Sequence, residues 1–154
     1  VIEVSRTSDP HLVAAILTDD DVWAEGGDDG TCAVEDFVPA FHESVYYLVP
    51  WLNDEPMGIF IVTPSNSICF EWHTGILKAF RGKNAIIGCR MAVDWMEANT
   101  PARKLITWVD VETRHVYLYA KACGFGVEGV SHGSLLKHGQ LRDQYLMGRM
   151  LCQS

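Results

Sequence analysis

Basic residues are scarce in this chain. Twelve lysines and arginines stand against 20 aspartates and glutamates, for a formal net charge of −8. A protein that grips nucleic acid needs a cationic face to neutralise phosphates, so no nucleic-acid partner is expected, although one local basic pocket remains open. Long apolar runs are missing too, and with them a membrane-spanning helix. The opening residues, VIEVSRTSDPHL, lack the basic stretch followed by an apolar stretch that marks a secretory signal. The expectation is a cytoplasmic protein without a membrane partner. Cysteine pairing is lacking: Cys32, Cys69, Cys89, Cys123 and Cys152 are odd in number and widely spaced, and no two fall at C-x-x-C spacing. That disfavours a zinc site or a redox pair, and free thiols in a reducing compartment are the plain reading. No metal is expected.

What is present suits one folded domain over residues 1–154. Apolar residues make up 48% and charged residues 21%, enough for a core and too apolar for disorder. Residues 2–6 read as a short strand. SDPHLVAAILTD has helix-start chemistry, with Ser8 or Asp9 as cap, Pro10 in the first turn and an apolar stripe of Leu12, Val13, Ile16 and Leu17. DDDVWAEGGDDG reads as an acidic loop, and AVEDFVPAFHES as a second short helix weakened by Pro39. Three strand-like runs follow, VYYLVPWL, MGIFIVT and ICFEWHTGIL, joined by the turns NDEP and PSNS as an antiparallel meander.

AIIGCRMAVDWMEAN reads as a helix whose only charges, Arg90, Asp94 and Glu97, form one narrow polar stripe. KLITWV is a buried strand. TRHVYLYAKACG is a helix capped at Thr113, striped by Val116, Tyr119, Ala120 and Cys123, and ended by Gly124. FGVEGVSHG and QYLMGRM read as two last strands around a loop. The order implies an α/β (α+β) fold: a mixed, mostly antiparallel sheet flanked by helices on both faces, with one parallel pairing across the strand–helix–strand crossover.

Two motifs invite other chemistry. GVSHG (129–133) matches G-x-S-x-G, but a hydrolase elbow must join a strand to a helix in a larger parallel sheet, and SLLKHGQ is a poor helix. His42-Glu43 lacks the second histidine of a zinc-protease helix.

The element order and three local features together resemble the GCN5-related N-acetyltransferase (GNAT) superfamily. CFEWHTGIL running into KAFRGKNA is similar to that family's acyl-CoA loop, Q/R-x-x-G-x-G/A. YLYAKACGFGVEGV is similar to its late helix that ends in Gly-Phe before a strand. LRDQYLMGRM carries an acid where the family often has Asp before its last strand. The likeness spans roughly residues 45–150. It implies acetyl-CoA as co-substrate and a splay between the fourth and fifth strands to receive it. Ile76, Leu77 and Lys78 would offer main-chain contacts to the pantetheine arm. Arg81, Gly82, Lys83, Asn84 and Ala85 would cradle the pyrophosphate, which suits the amides and dipole of a helix N-terminus. Thr113, where the family often has Asn, would lie on the same cofactor side.

The chain departs from the pattern in three further places. The motif's fourth and sixth positions are Asn84 and Ile86, where the family prefers small residues. Asn tolerates left-handed torsions, whereas Ile86 is bulky enough to crowd a phosphate. The family's acid tyrosine, four residues before the Gly of Gly-Phe, is here Ala120; neighbouring Tyr119 either supplies the acid or packs in the core.

For the base, Glu71 and His73 share one face of their strand and form a carboxylate–imidazole pair suited to proton transfer near neutral pH. The alternative is a solvated or merely satisfied polar pair. Asp110 is the second candidate. Asp19, Asp20, Asp21, Glu25, Asp28 and Asp29 lie where the family binds its acceptor; they either attract a cationic amine or form a solvated loop. The reading is an acyl-CoA-dependent N-acetyltransferase using direct attack by an amine, on a small molecule or on a protein or peptide. A catalytically inactive GNAT-fold binding or assembly protein, suited to a virus-encoded or accessory role, is the alternative. Aromatics in VYYLVPWL suggest a homodimer edge.

Overall fold

The computed structural model describes residues 1–152. β1 (Ile2–Arg6) leads into α1 (Pro10–Leu17), which Asp9 caps by accepting hydrogen bonds from the His11 and Leu12 amides. The acidic stretch beyond it is not all loop. Asp19 caps α2 (Asp20–Glu25), and Asp20 and Asp21 sit in its first turn, where negative charge suits the positive end of the peptide dipoles. Conversely, the helix expected from AVEDFVPAFHES is only one 3₁₀ turn, Val34–Asp36, because Pro39 bars a continuation.

The meander is β2 (Tyr46–Leu52), the two-residue β3 (Glu55–Pro56), β4 (Gly58–Pro64) and β5 (Cys69–Ile76). Then come α3 (Lys83–Asn99), β6 (Lys104–Asp110), α4 (Arg114–Ala122), β7 (Gly126–Lys137) and β8 (Gln140–Met150). They build one sheet in the order β1-β2-β4-β5-β6-β8-β7, with β3 paired to β2. The last two strands are longer than their sequence suggests. Residues 134–143, expected as loop, belong to a hairpin that turns at His138 (φ 53°) and Gly139 (φ 74°). Two successive positive φ values are what a two-residue type I′ turn requires.

Helices cover both faces, as expected. Leu48, Phe60 and Trp72 pack with α3 residues such as Val93 and Met96, and with Phe125, on one face. Tyr47, Val49 and Ile59 pack with Val13 and Ile16 of α1 on the other. Each such buried apolar side chain stabilises the fold by about 1.5–3 kcal/mol. The run VYYLVPWL is therefore no dimer edge: β2 lies between β1 and β4, with Tyr47, Leu48 and Val49 buried. Its backbone groups are committed to its neighbours, so the suggested homodimer loses that support.

β5 and β6 are the parallel pair. Their register is Cys69↔Lys104, Phe70↔Leu105 and Glu71↔Ile106, and it stops there although the strands run on to Ile76 and Asp110. The two strands diverge toward their C-terminal ends. This is the expected splay, between β5 and β6 once the two-residue β3 is counted.

Candidate active site

The splay opens into a cleft of about 660 Å³. Glu71, His73 and Thr74 of β5 and Thr107, Trp108 and Asp110 of β6 form its floor. Val22, Trp23 and Glu25 of α2 with Phe37 form one wall, and Leu135 and Lys137 of the β7–β8 hairpin another. α2 comes close because residue 75 is glycine: a β-carbon there would lie 2.8 Å from Val22 Cγ1. The hairpin is held over the cleft by Asp29, whose carboxylate accepts hydrogen bonds from the turn amides of His138 (2.9 Å) and Gly139 (2.8 Å). Those two amides hold the Asp29 carboxyl below its ordinary range.

The main chain of β5 faces the splay at alternate residues. The Leu77 N–H donates to Met57 O at 3.0 Å, on the β4 side. In an antiparallel ladder successive residues direct their backbone groups to opposite sides, so Ile76 and Thr74 direct theirs into the splay. Of the three expected pantetheine contacts, Ile76 is thus suitably turned. Leu77 is committed to β4 and to a 3₁₀ turn, where its carbonyl accepts from the Phe80 N–H. Lys78 O accepts from the Arg81 N–H at 3.3 Å. Thr74 is the residue that sequence reasoning missed; its signal was the strand's period of two, usable only with the register in hand.

After that turn the chain reaches Gly82, at φ 111° and ψ −141°, torsions essentially confined to glycine. Gly82 is the N-cap of α3, and no side chain caps the helix. The first intrahelical bond is Ile86 N–H to Gly82 O, 3.2 Å. The amides of Lys83, Asn84 and Ala85 therefore have no intrahelical partner, at the positive end of a 17-residue helix. Asn84 needs no left-handed torsion, since it lies in regular helix. Ile86 spends its amide inside the helix and its side chain is half-buried.

The side chain of Arg81 is partly exposed and bends back onto the protein. Its Nε donates to Ile76 O (3.3 Å) and its Nη1 lies 3.2 Å from Glu25 Oε1. The same Glu25 oxygen is 3.0 Å from His115 Nε2, at the start of α4.

The candidate catalytic groups separate clearly. His73 Nε2 lies 3.3 Å from Glu71 Oε1, and both line the cleft on one face of β5, the imidazole about half exposed at 52%. Asp110 is also in the cleft but is spoken for. Burial pushes its pKa up, yet the Glu112 amide, the Arg142 guanidinium at 2.7 Å and the Thr113 hydroxyl outweigh this and hold it below the ordinary carboxylate range. Thr113 is the N-cap residue of α4, but its hydroxyl serves Asp110 and no helix amide.

Tyr119 donates its hydroxyl to Ala85 O at 2.9 Å and so braces α4 against the first turn of α3. Burial, with the Cys89 and Cys123 thiols alongside, pushes its pKa far above the usual phenol value. A phenol so held keeps its proton and is a weak acid catalyst. Ser131 of the GVSHG motif lies within β7, an edge strand, and no strand-to-helix elbow forms there.

No protein-family model matches the chain, and no curated protein matches its sequence. Solved structures match it in shape. Spermidine N-acetyltransferase from Vibrio cholerae, solved with CoA and spermine, superposes with a TM-score of 0.78 at 14% identity, over 97% of this chain and 95% of that one. An acetyltransferase of the GNAT family from Streptococcus pneumoniae gives a TM-score of 0.71 at 16% identity, over 99% and 100%. The chain has the fold of the GCN5-related N-acetyltransferases.

Proposed function

We propose that this protein is an acetyl-CoA-dependent N-acetyltransferase that transfers an acetyl group to an amine by direct attack. One observation carries the reading: the β5–β6 splay leads to the uncapped, glycine-preceded N-terminus of α3. Three unpartnered amides there suit a pyrophosphate, and a splay with inward-facing backbone suits an extended amide-containing arm. Gly82 lets the main chain approach closely, the amides of Lys83, Asn84 and Ala85 meet the phosphates, and Ile76 with Thr74 meet the pantetheine amides. Bound there, acetyl-CoA supplies the activated acyl group as a thioester.

His73 takes the proton from the acceptor's ammonium group, freeing the lone pair for attack, and Glu71 stabilises the imidazolium that results. Asp110 is left out of proton transfer, because it is already a paired carboxylate with a depressed pKa. Tyr119 acts as a brace. The acceptor is an amine, on a small molecule or a peptide. Glu25, Asp28 and Glu71 line the cleft and favour a cationic one. The Vibrio cholerae structure with spermine is a precedent for an amine in this fold.

The test is a thermal shift with CoA and acetyl-CoA, then acetyl transfer to a panel of amines followed by thiol release. A melting temperature that rises with CoA concentration and thiol release with at least one amine are expected. No shift at millimolar CoA overturns the reading. A shift without transfer to any amine assigns the protein to the inactive, ligand-binding alternative.

A further inference from the structure

Arg81 follows the C-terminal end of β5, and His115 lies five residues beyond the C-terminal end of β6. These are the two strands whose divergence makes the splay. One anion joins them. Glu25 Oε1 lies 3.2 Å from Arg81 Nη1 and 3.0 Å from His115 Nε2. The carboxylate is only partly exposed (38%), and its backbone is tied down in turn, since Lys137 Nζ donates to Glu25 O at 3.3 Å. Arg81 is further aimed by its bond to Ile76 O. A guanidinium and an imidazole nitrogen thus converge on one carboxylate oxygen beyond the ends of the two splayed strands, and neither belongs to the uncapped amides of α3.

We propose that Arg81 and His115 form a phosphate-binding pair for the donor, and that Glu25 occupies it as an internal competing anion until the donor displaces it. This rests on the acetyl-CoA reading above. A phosphate presents anionic oxygens to a guanidinium and an imidazole N–H as a carboxylate does, with more charge and more acceptors. Exchanging Glu25 for phosphate keeps both side chains partnered. It also releases a carboxylate into the acceptor cleft.

The test is calorimetric titration of the whole chain with CoA, 3′-dephospho-CoA and pantetheine. Wild type, Glu25→Gln and the double variant Glu25→Gln/His115→Gln are compared at one ionic strength, with melting temperatures read in parallel. Removing the competitor should tighten CoA about threefold, the scale of a partly exposed ion pair, and leave pantetheine unchanged. The added His115→Gln change should weaken CoA relative to Glu25→Gln, again without affecting pantetheine. 3′-Dephospho-CoA identifies the phosphate: if it follows CoA, the pair binds pyrophosphate; if it follows pantetheine, the pair binds the 3′-phosphate. CoA affinity that is unchanged or weaker in Glu25→Gln, or an equal shift for pantetheine, overturns the proposal while the acetyl-CoA reading stands. Absence of CoA binding in all three proteins overturns both.

Discussion

His73 and Glu71 illustrate how much chemistry two alternate residues of one strand can carry. Both point into the cleft from β5, and the imidazole is open to an acceptor. His73→Ala should lower kcat by about 10²–10⁴-fold, the usual span for a lost general base. The Kd for CoA should stay unchanged, because His73 lies away from the α3 amides; steady-state kinetics with calorimetry checks both. Asp110 should behave differently. Its folded pKa is depressed, so its stabilising effect is complete above the unfolded value, near 3.9, and is lost as pH falls through the folded value. Asp110→Asn should therefore cost about 1.5–3 kcal/mol at pH 7, from a weakened charged hydrogen bond to Arg142. The variant and wild type should converge toward pH 2, as read by urea denaturation. The pairing of Glu71 with His73 was legible from the strand's period of two. The engagement of Asp110 was not, because its partner Arg142 is 32 residues away on another strand. His115 was missed because it became informative only when the fold brought it to Glu25, 90 residues distant.

Among elements, those with a cap and a long apolar stripe could be read directly. α1 begins at Pro10 as its Asp9 cap suggests, and α3 and α4 follow their stripes. α2 escaped because its six residues are too few to set up a helical period, and its capping aspartates look like loop polarity. The two last strands were read, but their extension to a two-residue turn was not, because β7 slips register between Val127 and Gly129 and again between Ser131 and Leu135, which breaks the alternation that marks a strand. At the start of α3, Asn84 and Ile86 departed from the familiar motif, yet the backbone there leaves the required amides free. Gly82 is the position that permits this. Gly82→Ala has room for its methyl group, since nothing lies within 4 Å, but it must adopt φ near 111°. It should cost about 1–3 kcal/mol of stability. CoA binding should weaken as the α3 amides are misdirected, as thermal denaturation with and without CoA will reveal.

For the molecule as a whole, the cleft is assembled from distant parts of the chain. Asp29, after α2, clamps a hairpin turn more than a hundred residues later through its two turn amides. Asp29→Ala should leave the fold intact while loosening that hairpin, and trypsin cleavage after the adjacent Lys137 should become faster. Because Lys137 also donates to the Glu25 carbonyl, a looser hairpin should be felt at the mouth of the splay. The divergence of β5 from β6 has a consequence of another kind. Interior strands of a sheet are ordinarily where amide hydrogens exchange most slowly with solvent. Thr74 lies in such a strand, but its N–H is directed into the gap and its side chain is exposed. It should exchange its proton for deuterium much faster than its neighbours His73 and Gly75, whose amides are held by β4, and it should slow sharply once a ligand fills the gap. One backbone proton in the middle of the sheet would then act as an isotopic clock for occupancy of the cleft.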